Sequence, residues 1–96
     1  MLKHVIFFKF KAETTEADID KLADSLGALP EKISEIREFV FGRDIVRSER
    51  SYDFGLVSSF DDRAALDAYA IHPDHQRVVV HIKQICSSVV AVDFVY

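Results

Sequence analysis

The sequence predicts an α+β fold in which helices cover one face of a four-stranded antiparallel sheet. Four segments have the alternation or the β-forming residues typical of strands, and the segments between them carry apolar residues at helical spacing. The length of 96 residues suits one domain, residues 1–96, and is too short for two. A composition that is 49% hydrophobic excludes a disordered chain and supplies more apolar surface than a small sheet can bury alone.

The first strand is predicted from Leu2 to Lys11, where successive side chains alternate between the two faces of the sheet. One face carries Leu2, His4, Ile6, Phe8 and Phe10, and the other carries Lys3, Val5, Phe7, Lys9 and Lys11. Large apolar side chains are therefore expected on both faces of this strand.

A first helix is predicted after Thr15, whose hydroxyl can cap the free backbone amides of the first turn. Asp18 follows three residues later, near the positive end of the helix dipole. Pro30 marks the predicted end of the helix. The apolar stripe between these points consists of Ile19, Leu22, Ala23, Leu26 and Leu29.

Two further strands are predicted to form a hairpin. The segment from Ile36 to Val46 is rich in β-forming residues, and the segment from Asp53 to Phe60 again has a strand-like pattern. Between them, Arg47 to Ser51 is a polar connector of five residues, a normal length for a hairpin loop.

A helical region in two parts is predicted before the last strand. Asp61 is the candidate N-cap of the first part, and Pro73 interrupts the region and suits the first position of the second part. The first part has an apolar face formed by Ala65, Leu66 and Tyr69. The stripe of the second part consists of His75, Val78, Val79, Ile82 and Cys86.

A last strand from Ser88 to Tyr96 completes the order β-α-β-β-α-β, which is the ferredoxin-like pattern. Both helical regions are then expected on one face of the sheet, and the other face is left uncovered. Covering that face would stabilise the protein by roughly 1.5–3 kcal/mol for each large apolar side chain that becomes buried. We therefore expect a homodimer in which two sheets stack face to face, as a dimeric α/β barrel.

The charge pattern argues against nucleic acid and membrane partners. The formal net charge is −4 at pH 7, and the basic residues are scattered instead of forming a patch.

Cys86 is the single cysteine, so that no disulfide can form within the chain. No apolar run has membrane-spanning length and the start of the chain lacks the pattern of a signal peptide, so that a cytoplasmic location is expected. The three glycines lie far apart, and no phosphate-binding loop or nucleotide cofactor is expected.

Three stretches of the chain are distinctive, namely HVIFFKFK, DFGLVSSF and ALDAYAIHPDHQRVV. The most specific piece is Y-x-x-H-P-x-H, formed by Tyr69, His72, Pro73 and His75. Over essentially its whole length the sequence resembles the stress-responsive A/B barrel domain (Dabb) family of dimeric α+β barrel proteins. The resemblance implies a homodimer that meets through its sheet faces. It also implies a family of mixed activities, because enzymes and proteins of unassigned role share this fold.

The resemblance also implies candidate site residues. In a plant polyketide cyclase of the family, a tyrosine and the second histidine of this motif act on a linear polyketide thioester, and they correspond to Tyr69 and His75 here. His4 matches a further pocket histidine of that cyclase. Phe54 is a departure, because the cyclase has another pocket histidine at the corresponding position.

The residue types themselves suggest general acid–base chemistry. A neutral His75 imidazole can remove a proton from a carbon next to a carbonyl, while the Tyr69 hydroxyl donates a hydrogen bond to the developing enolate. The helix start near His75 favours the neutral imidazole by lowering its pKa. The structural alternative is that His75 caps backbone amides and that Tyr69 fills the core.

The other histidines have structural alternatives as well. His4 is either a half-buried residue of its sheet face or part of a pocket lining, and His72 either caps a helix or supports the pocket. His81 lies off the apolar stripe and is expected to face solvent. His72 and His75 are three residues apart, but Pro73 puts His72 outside the regular turn, and no metal site is predicted.

The leading functional prediction is a homodimeric Dabb protein of unassigned physiological role, with a pocket for a small apolar ligand between sheet and helices. The predicted pocket lining includes His4, Tyr69 and His75, and no cofactor is expected. The alternative is a cofactor-independent cyclase, isomerase or lyase that uses His75 as the base and Tyr69 as the hydrogen-bond donor. A third alternative is a haem- or quinol-handling monooxygenase of the wider dimeric barrel group.

Overall fold

A computed structural model describes all residues from Met1 to Tyr96. Its elements are β1 (Leu2–Phe10), α1 (Glu16–Lys32), β2 (Glu38–Arg43), β3 (Phe54–Phe60), α2 (Arg63–Ile71), α3 (Pro73–Ile85) and β4 (Cys86–Val95). The strands form one antiparallel sheet in the order β2-β3-β1-β4. The predicted ferredoxin-like βαββαβ fold is confirmed. None of the helices combines the length and the apolar composition needed to cross a membrane.

The central strand β1 decides which side chains share a face. It pairs with β3 on one side and β4 on the other, and the register sets His4 opposite both Ser58 and Asp93. Directly opposite residues of neighbouring strands point to the same face of a sheet. His4 and Asp93 therefore lie together on the face that carries the helices.

The start of α1 agrees with the prediction, and its end does not. Thr15 and Asp18 form a reciprocal capping box, in which each side chain accepts a hydrogen bond from the other residue's backbone N–H. The predicted stop at Pro30 is wrong, because the helix continues to Lys32. A proline in the last turn removes only one backbone donor. The turn is held closed by the N–H of Ile33, which donates to the Leu29 carbonyl at 2.9 Å, and by the burial of the Ile33 side chain.

The cap of α2 is shifted by one residue from the prediction. Asp62, and not Asp61, is the N-cap, and its carboxylate accepts a hydrogen bond from the backbone N–H of Ala65 at 2.9 Å. Asp61 instead accepts two hydrogen bonds from the Arg37 guanidinium, at 3.0 and 2.9 Å. Two adjacent aspartates can each cap a helix by sequence alone, and the nearby arginine decides between them.

The hairpin loop is longer than predicted, since β2 ends at Arg43 and β3 begins at Phe54. Asp44, Arg47 and Asp53 hold this loop by ion pairs, and Arg47 has a positive φ of 55°. The carboxylate of Asp53 also accepts a hydrogen bond from the backbone N–H of Phe10 at 2.7 Å, which ties the loop to β1. The predicted five-residue connector is therefore only the tip of a ten-residue loop.

The hydrophobic core lies between the sheet and the helices, and the opposite face of the sheet is open. The core includes Phe8, Leu22, Leu26, Leu29, Leu56 and Phe60. Large apolar side chains also cover the open face and are exposed in the single chain, as expected for strands with two apolar faces; they are Phe7, Val40, Val57, Val90, Val92 and Phe94. This set is called the open apolar face below.

His81 is buried, and the expectation that it faces solvent is wrong. Only 8% of the residue is exposed, and its Nε2 donates a hydrogen bond to the Asp18 carbonyl oxygen at 3.1 Å. The reason is that α3 packs against α1 as well as against the sheet. A single apolar stripe therefore underestimates how much of α3 is covered.

Candidate small-molecule site

The largest cavity of the chain has a volume of about 660 Å³ and lies between β1 and β4 on one side and α2 and α3 on the other. Ligand pockets commonly have volumes of about 300–1,000 Å³ with mostly apolar walls and a few polar groups. Apolar side chains also dominate here, and they include Ile6, Phe8, Leu66, Val79, Ile82 and Val89. The polar groups of the wall include His4, Tyr69, His75 and Asp93.

Tyr69 lies in the last turn of α2 and is 2% exposed. Its ring packs against Phe60 and against the imidazole of His75, with centroid distances of 5.0 and 4.2 Å. No hydrogen bond within the chain involves its hydroxyl, and the residue contributes to the cavity wall. Burial raises the pKa of Tyr69 above its ordinary value of 10.0. The phenol therefore stays protonated at neutral pH and is a hydrogen-bond donor.

His75 is positioned by the first turn of α3, which begins at Pro73. Its Nδ1 lies 3.0 Å from the Ala70 carbonyl oxygen. A carbonyl can only accept a hydrogen bond, so that Nδ1 carries the proton and the lone pair of neutral His75 is on Nε2. Burial lowers the pKa of His75 below its ordinary value of 6.5, against the opposing effect of the hydrogen bond to Ala70. The geometry thus provides a neutral imidazole with its basic nitrogen free.

A second polar pair lies on the sheet beside these two residues. The carboxylate of Asp93 on β4 accepts a hydrogen bond from His4 Nδ1 on β1. The His4 ring is 6.2 Å from the Tyr69 ring between centroids. The carboxylate on Nδ1 fixes the orientation of the His4 ring, and Nε2 of His4 makes no hydrogen bond within the chain.

Asp93 was not predicted as a site residue, although the last strand contains a signal for it. The helix-facing positions of the last strand are Val89, Ala91, Asp93 and Val95. A lone carboxylate in this otherwise apolar series indicates a polar partner on the neighbouring strand. The partner could be identified only once the register with β1 was known.

The remaining two predicted site residues lie away from this cavity. His72 connects α2 and α3, and its Nδ1 accepts a hydrogen bond from the backbone N–H of Asp74 at 3.1 Å, which makes it the N-cap of α3. Phe54 is a core residue, 3% exposed, and its ring stacks on Phe41 at 6.0 Å and contacts Phe8 edge-on at 5.7 Å. The structure brings together His4, Tyr69 and His75, and it places His72 and Phe54 outside the wall of this cavity.

Charged side chains lie at the two ends of the cavity, since Arg63 comes just after β3, whose end pairs with Leu2, and Lys83 comes just before β4, whose start pairs with Phe10. Arg63 and Asp67 of α2 form an ion pair with an N–O distance of 2.9 Å. Lys83, in the last turn of α3, also contributes to the wall, and no ion pair or hydrogen bond within the chain involves its ammonium group. The cavity therefore combines an apolar middle with paired charges at one end and a free cation at the other.

The sheet order, the two-sided strands and the histidine- and tyrosine-lined cavity define a ferredoxin-like α+β protein with an internal pocket. More specifically, the chain belongs to the stress responsive A/B barrel domain (Dabb) family, whose model matches residues 2–96. The resemblance seen in the sequence is thereby confirmed.

Two relatives and one solved structure are similar to this chain. A stress-response A/B barrel domain-containing protein from Arabidopsis thaliana is 29% identical over 99% of this chain, which spans only 36% of that protein. Olivetolic acid cyclase from Cannabis sativa is 29% identical over 77% of this chain and 75% of the cyclase. A dimeric ferredoxin-like protein of unknown function from Thermobifida fusca has 28% identity and a TM-score of 0.91, over 99% of this chain and 90% of that one.

Proposed function

We propose that this chain binds a small, largely apolar carbonyl compound in the cavity and catalyses proton transfer on it without a cofactor. The observation that carries the proposal is the contact between the Tyr69 and His75 rings at the cavity wall. Each residue contributes one polar atom that makes no hydrogen bond within the chain. These atoms are the hydroxyl oxygen of Tyr69 and Nε2 of His75. A bound carbonyl group can use both atoms.

The chemistry follows from the state of the two groups. Nε2 of neutral His75 takes a proton from the carbon next to the carbonyl, the electrons of that C–H bond form a C=C bond, and the π electrons of the carbonyl move to its oxygen, which gives an enolate and a protonated His75. The Tyr69 hydroxyl donates a hydrogen bond to that oxygen and stabilises its charge. The enolate then attacks an electrophile or is reprotonated, which are the outcomes in cyclisation and isomerisation respectively. The similarity to olivetolic acid cyclase supports this reaction class, and the proposal does not extend the substrate of that cyclase to this chain.

A deuterium-exchange experiment tests the proposal without knowledge of the natural substrate. The protein is incubated in D₂O with the methyl ketone 9-oxodecanamide, and proton NMR follows the exchange of the hydrogens next to the ketone. We expect exchange faster than in buffer, and its loss in His75→Ala and in Tyr69→Phe. His72→Asn, which retains a helix cap, is the matched control and should exchange at the wild-type rate.

The possible results separate binding from catalysis. Chemical-shift changes that show binding without enhanced exchange would reject the proton-transfer step and leave a binding protein. Exchange that is unaffected by both His75→Ala and Tyr69→Phe would reject the assignment of the two residues. If the probe shows no binding and no exchange, the proposed ligand class as a whole is contradicted.

We also propose that the chain forms a homodimer through the open apolar face. Six large apolar side chains on one flat surface favour a stable protein partner, since such a patch is unusual on a monomer. A second copy is favoured because the Thermobifida fusca structure, with the same fold and 28% identity, is dimeric. A cytoplasmic location, with its reducing conditions, agrees with the free thiol of Cys86.

A further inference from the structure

We propose that the ligand carries a carboxylate at the end opposite its reactive carbonyl, and that Lys83 binds this carboxylate. The inference rests on the proposed function and extends it by specifying the charge and the length of the ligand. It depends on which polar groups of the cavity wall already have partners and on where the free ones lie.

The two carboxylates in the cavity wall are already engaged. Asp93 accepts a hydrogen bond from His4, and Asp67 accepts one from Arg63 at 2.9 Å. These pairs neutralise the cation at the Arg63 end of the cavity. The ammonium group of Lys83 has no carboxylate partner, so that an anionic ligand group finds a cation free of side-chain ion pairs only at the Lys83 end.

The spacing along α3 sets the length of the ligand. His75 and Lys83 are on the same helix, eight residues apart, and a rise of 1.5 Å per residue separates their Cα atoms by about 12 Å. Both side chains lean toward the helix N-terminus, and the longer Lys83 side chain reaches further in that direction than His75, which shortens the span between the two functional groups. A ligand that reaches both groups therefore needs a spacer of roughly 8–12 Å between its carbonyl and its anion.

The wall between the two groups is apolar. Val79 and Ile82 line it from α3, and Phe8 and Val89 line it from the sheet, where they are opposite each other in the β1–β4 register. This surface favours an alkyl or aryl spacer over a polar one. The ligand class is thus an oxo acid whose ketone and carboxylate are joined by a medium-length apolar chain.

A carboxylate fits this end better than a phosphate. At the Lys83 end of the cavity, Lys83 is the only cation in the wall. Its neighbours in the wall are apolar, namely Phe8, Val79, Ile82 and Val89. A lone ammonium group matches a single negative charge, whereas phosphate sites usually combine several donors or a helix N-terminus. Lys83 lies instead in the last turn of its helix, where the negative end of the dipole opposes a doubly charged phosphate more than a singly charged carboxylate.

The test compares two probes that differ only in charge, 9-oxodecanoate and 9-oxodecanamide, by titration calorimetry at neutral pH. We expect the carboxylate to bind about threefold to tenfold more tightly than the amide, because the ion pair is partly exposed to water. Lys83→Met should remove this preference, so that the variant binds the two probes with equal affinity. Lys32→Met, on α1 and away from the cavity, is the matched control and should retain the preference.

A short pair of probes tests the length. In 4-oxopentanoate and its amide the ketone and the carboxyl group are too close to reach both His75 and Lys83, and we expect no difference between wild type and Lys83→Met. A preference for 9-oxodecanoate that survives in Lys83→Met, or that disappears in Arg63→Met instead, would overturn the assignment. Equal binding of the two long probes to wild type would contradict the carboxylate proposal alone. If neither long probe binds, the assignment of the cavity as a ligand pocket is contradicted.

Discussion

The imidazole of His75 lies against the phenol ring of Tyr69, with 4.2 Å between ring centroids, although the two residues belong to different helices. Burial acts on both groups in a compatible sense: it lowers the pKa of the imidazole and raises the pKa of the phenol. At neutral pH the pair therefore consists of one free base and one hydrogen-bond donor.

The rate of ketone exchange should depend on pH through His75. The imidazole acts as a base only when neutral, and its folded pKa is below 6.5, so that the rate should rise with pH through that lowered pKa and then stay level. The plateau should extend past pH 10.0, where an ordinary tyrosine ionises, because the pKa of Tyr69 is raised. NMR titration of the His75 ring protons gives an independent pKa. An inflection of the rate above 6.5 would contradict the role of His75 as the base.

Folding stability should also reflect His75. The folded protein binds a proton at His75 less readily than the unfolded chain, so that stability falls as pH decreases through the ordinary value of 6.5 and levels off below the folded pKa. His75→Gln should reduce this dependence on pH. The measurement is urea unfolding at a series of pH values, and an unchanged slope in the variant would show that other groups account for it.

His72 should contribute to stability as a helix cap. Its Nδ1 accepts the hydrogen bond from Asp74 N–H, and removing such a cap costs about 1 kcal/mol. We expect His72→Ala to lower the free energy of unfolding by this amount, and His72→Asn to restore most of it, because asparagine is a good N-cap. Thermal or urea unfolding measures the difference. Equal stability of the two variants would argue against capping as the role of His72.

A charge on the open apolar face should dissociate the dimer. Val92 is 60% exposed and lies opposite Val5 near the middle of this face. Val92→Lys places an unpaired charge in the proposed interface twice, once from each copy, and should raise the dimer dissociation constant at least about tenfold. Val80→Lys is the matched control, because Val80 is 59% exposed but lies on α3. Light scattering that shows the same mass for both variants would contradict the proposed interface.

Asp53 should be the main anchor of the loop between β2 and β3. It accepts hydrogen bonds from Phe10 N–H and from the Arg47 guanidinium, each at 2.7 Å. Asp53→Ala removes both bonds and leaves the Phe10 N–H without a partner, while Arg47 keeps its bond to Asp44, and it should lower stability by about 1–3 kcal/mol. Glu49→Ala, in the same loop and without a hydrogen bond, should have almost no effect. Hydrogen exchange at the Phe10 amide would show whether the loss is local to the anchor.

Much of the fold could be predicted because local signals agree with the tertiary structure. Alternation along β1 gave its two faces, and Thr15 with Asp18 gave the start of α1, since a capping box involves only neighbouring residues. Pro73 divided the helical region correctly, because proline is favoured at a helix start and breaks the hydrogen-bond ladder in the middle of a helix. These features depend on short stretches of chain, which a sequence displays directly.

The errors arose where distant residues decide. Arg37 engages Asp61 and leaves Asp62 to cap α2, and packing of α1 against α3 buries His81. The partnership of His4 and Asp93 depends on strands from opposite ends of the chain. For the site, the family resemblance named Tyr69 and His75, whereas their ring contact, Asp93 and Lys83 required the register and the cavity.

A single residue, His72, ends α2 and begins α3, and its own N–H donates to the Tyr69 carbonyl while its carbonyl accepts from Gln76 N–H. The spacing of the tyrosine and histidine is thus built into one short joint of the backbone and does not depend on the rest of the sheet. Mutations that reshape the far wall can alter what the pocket admits without separating its reactive pair. Natural variation or protein engineering could therefore change the ligand specificity of this pocket while the Tyr69–His75 pair keeps its geometry.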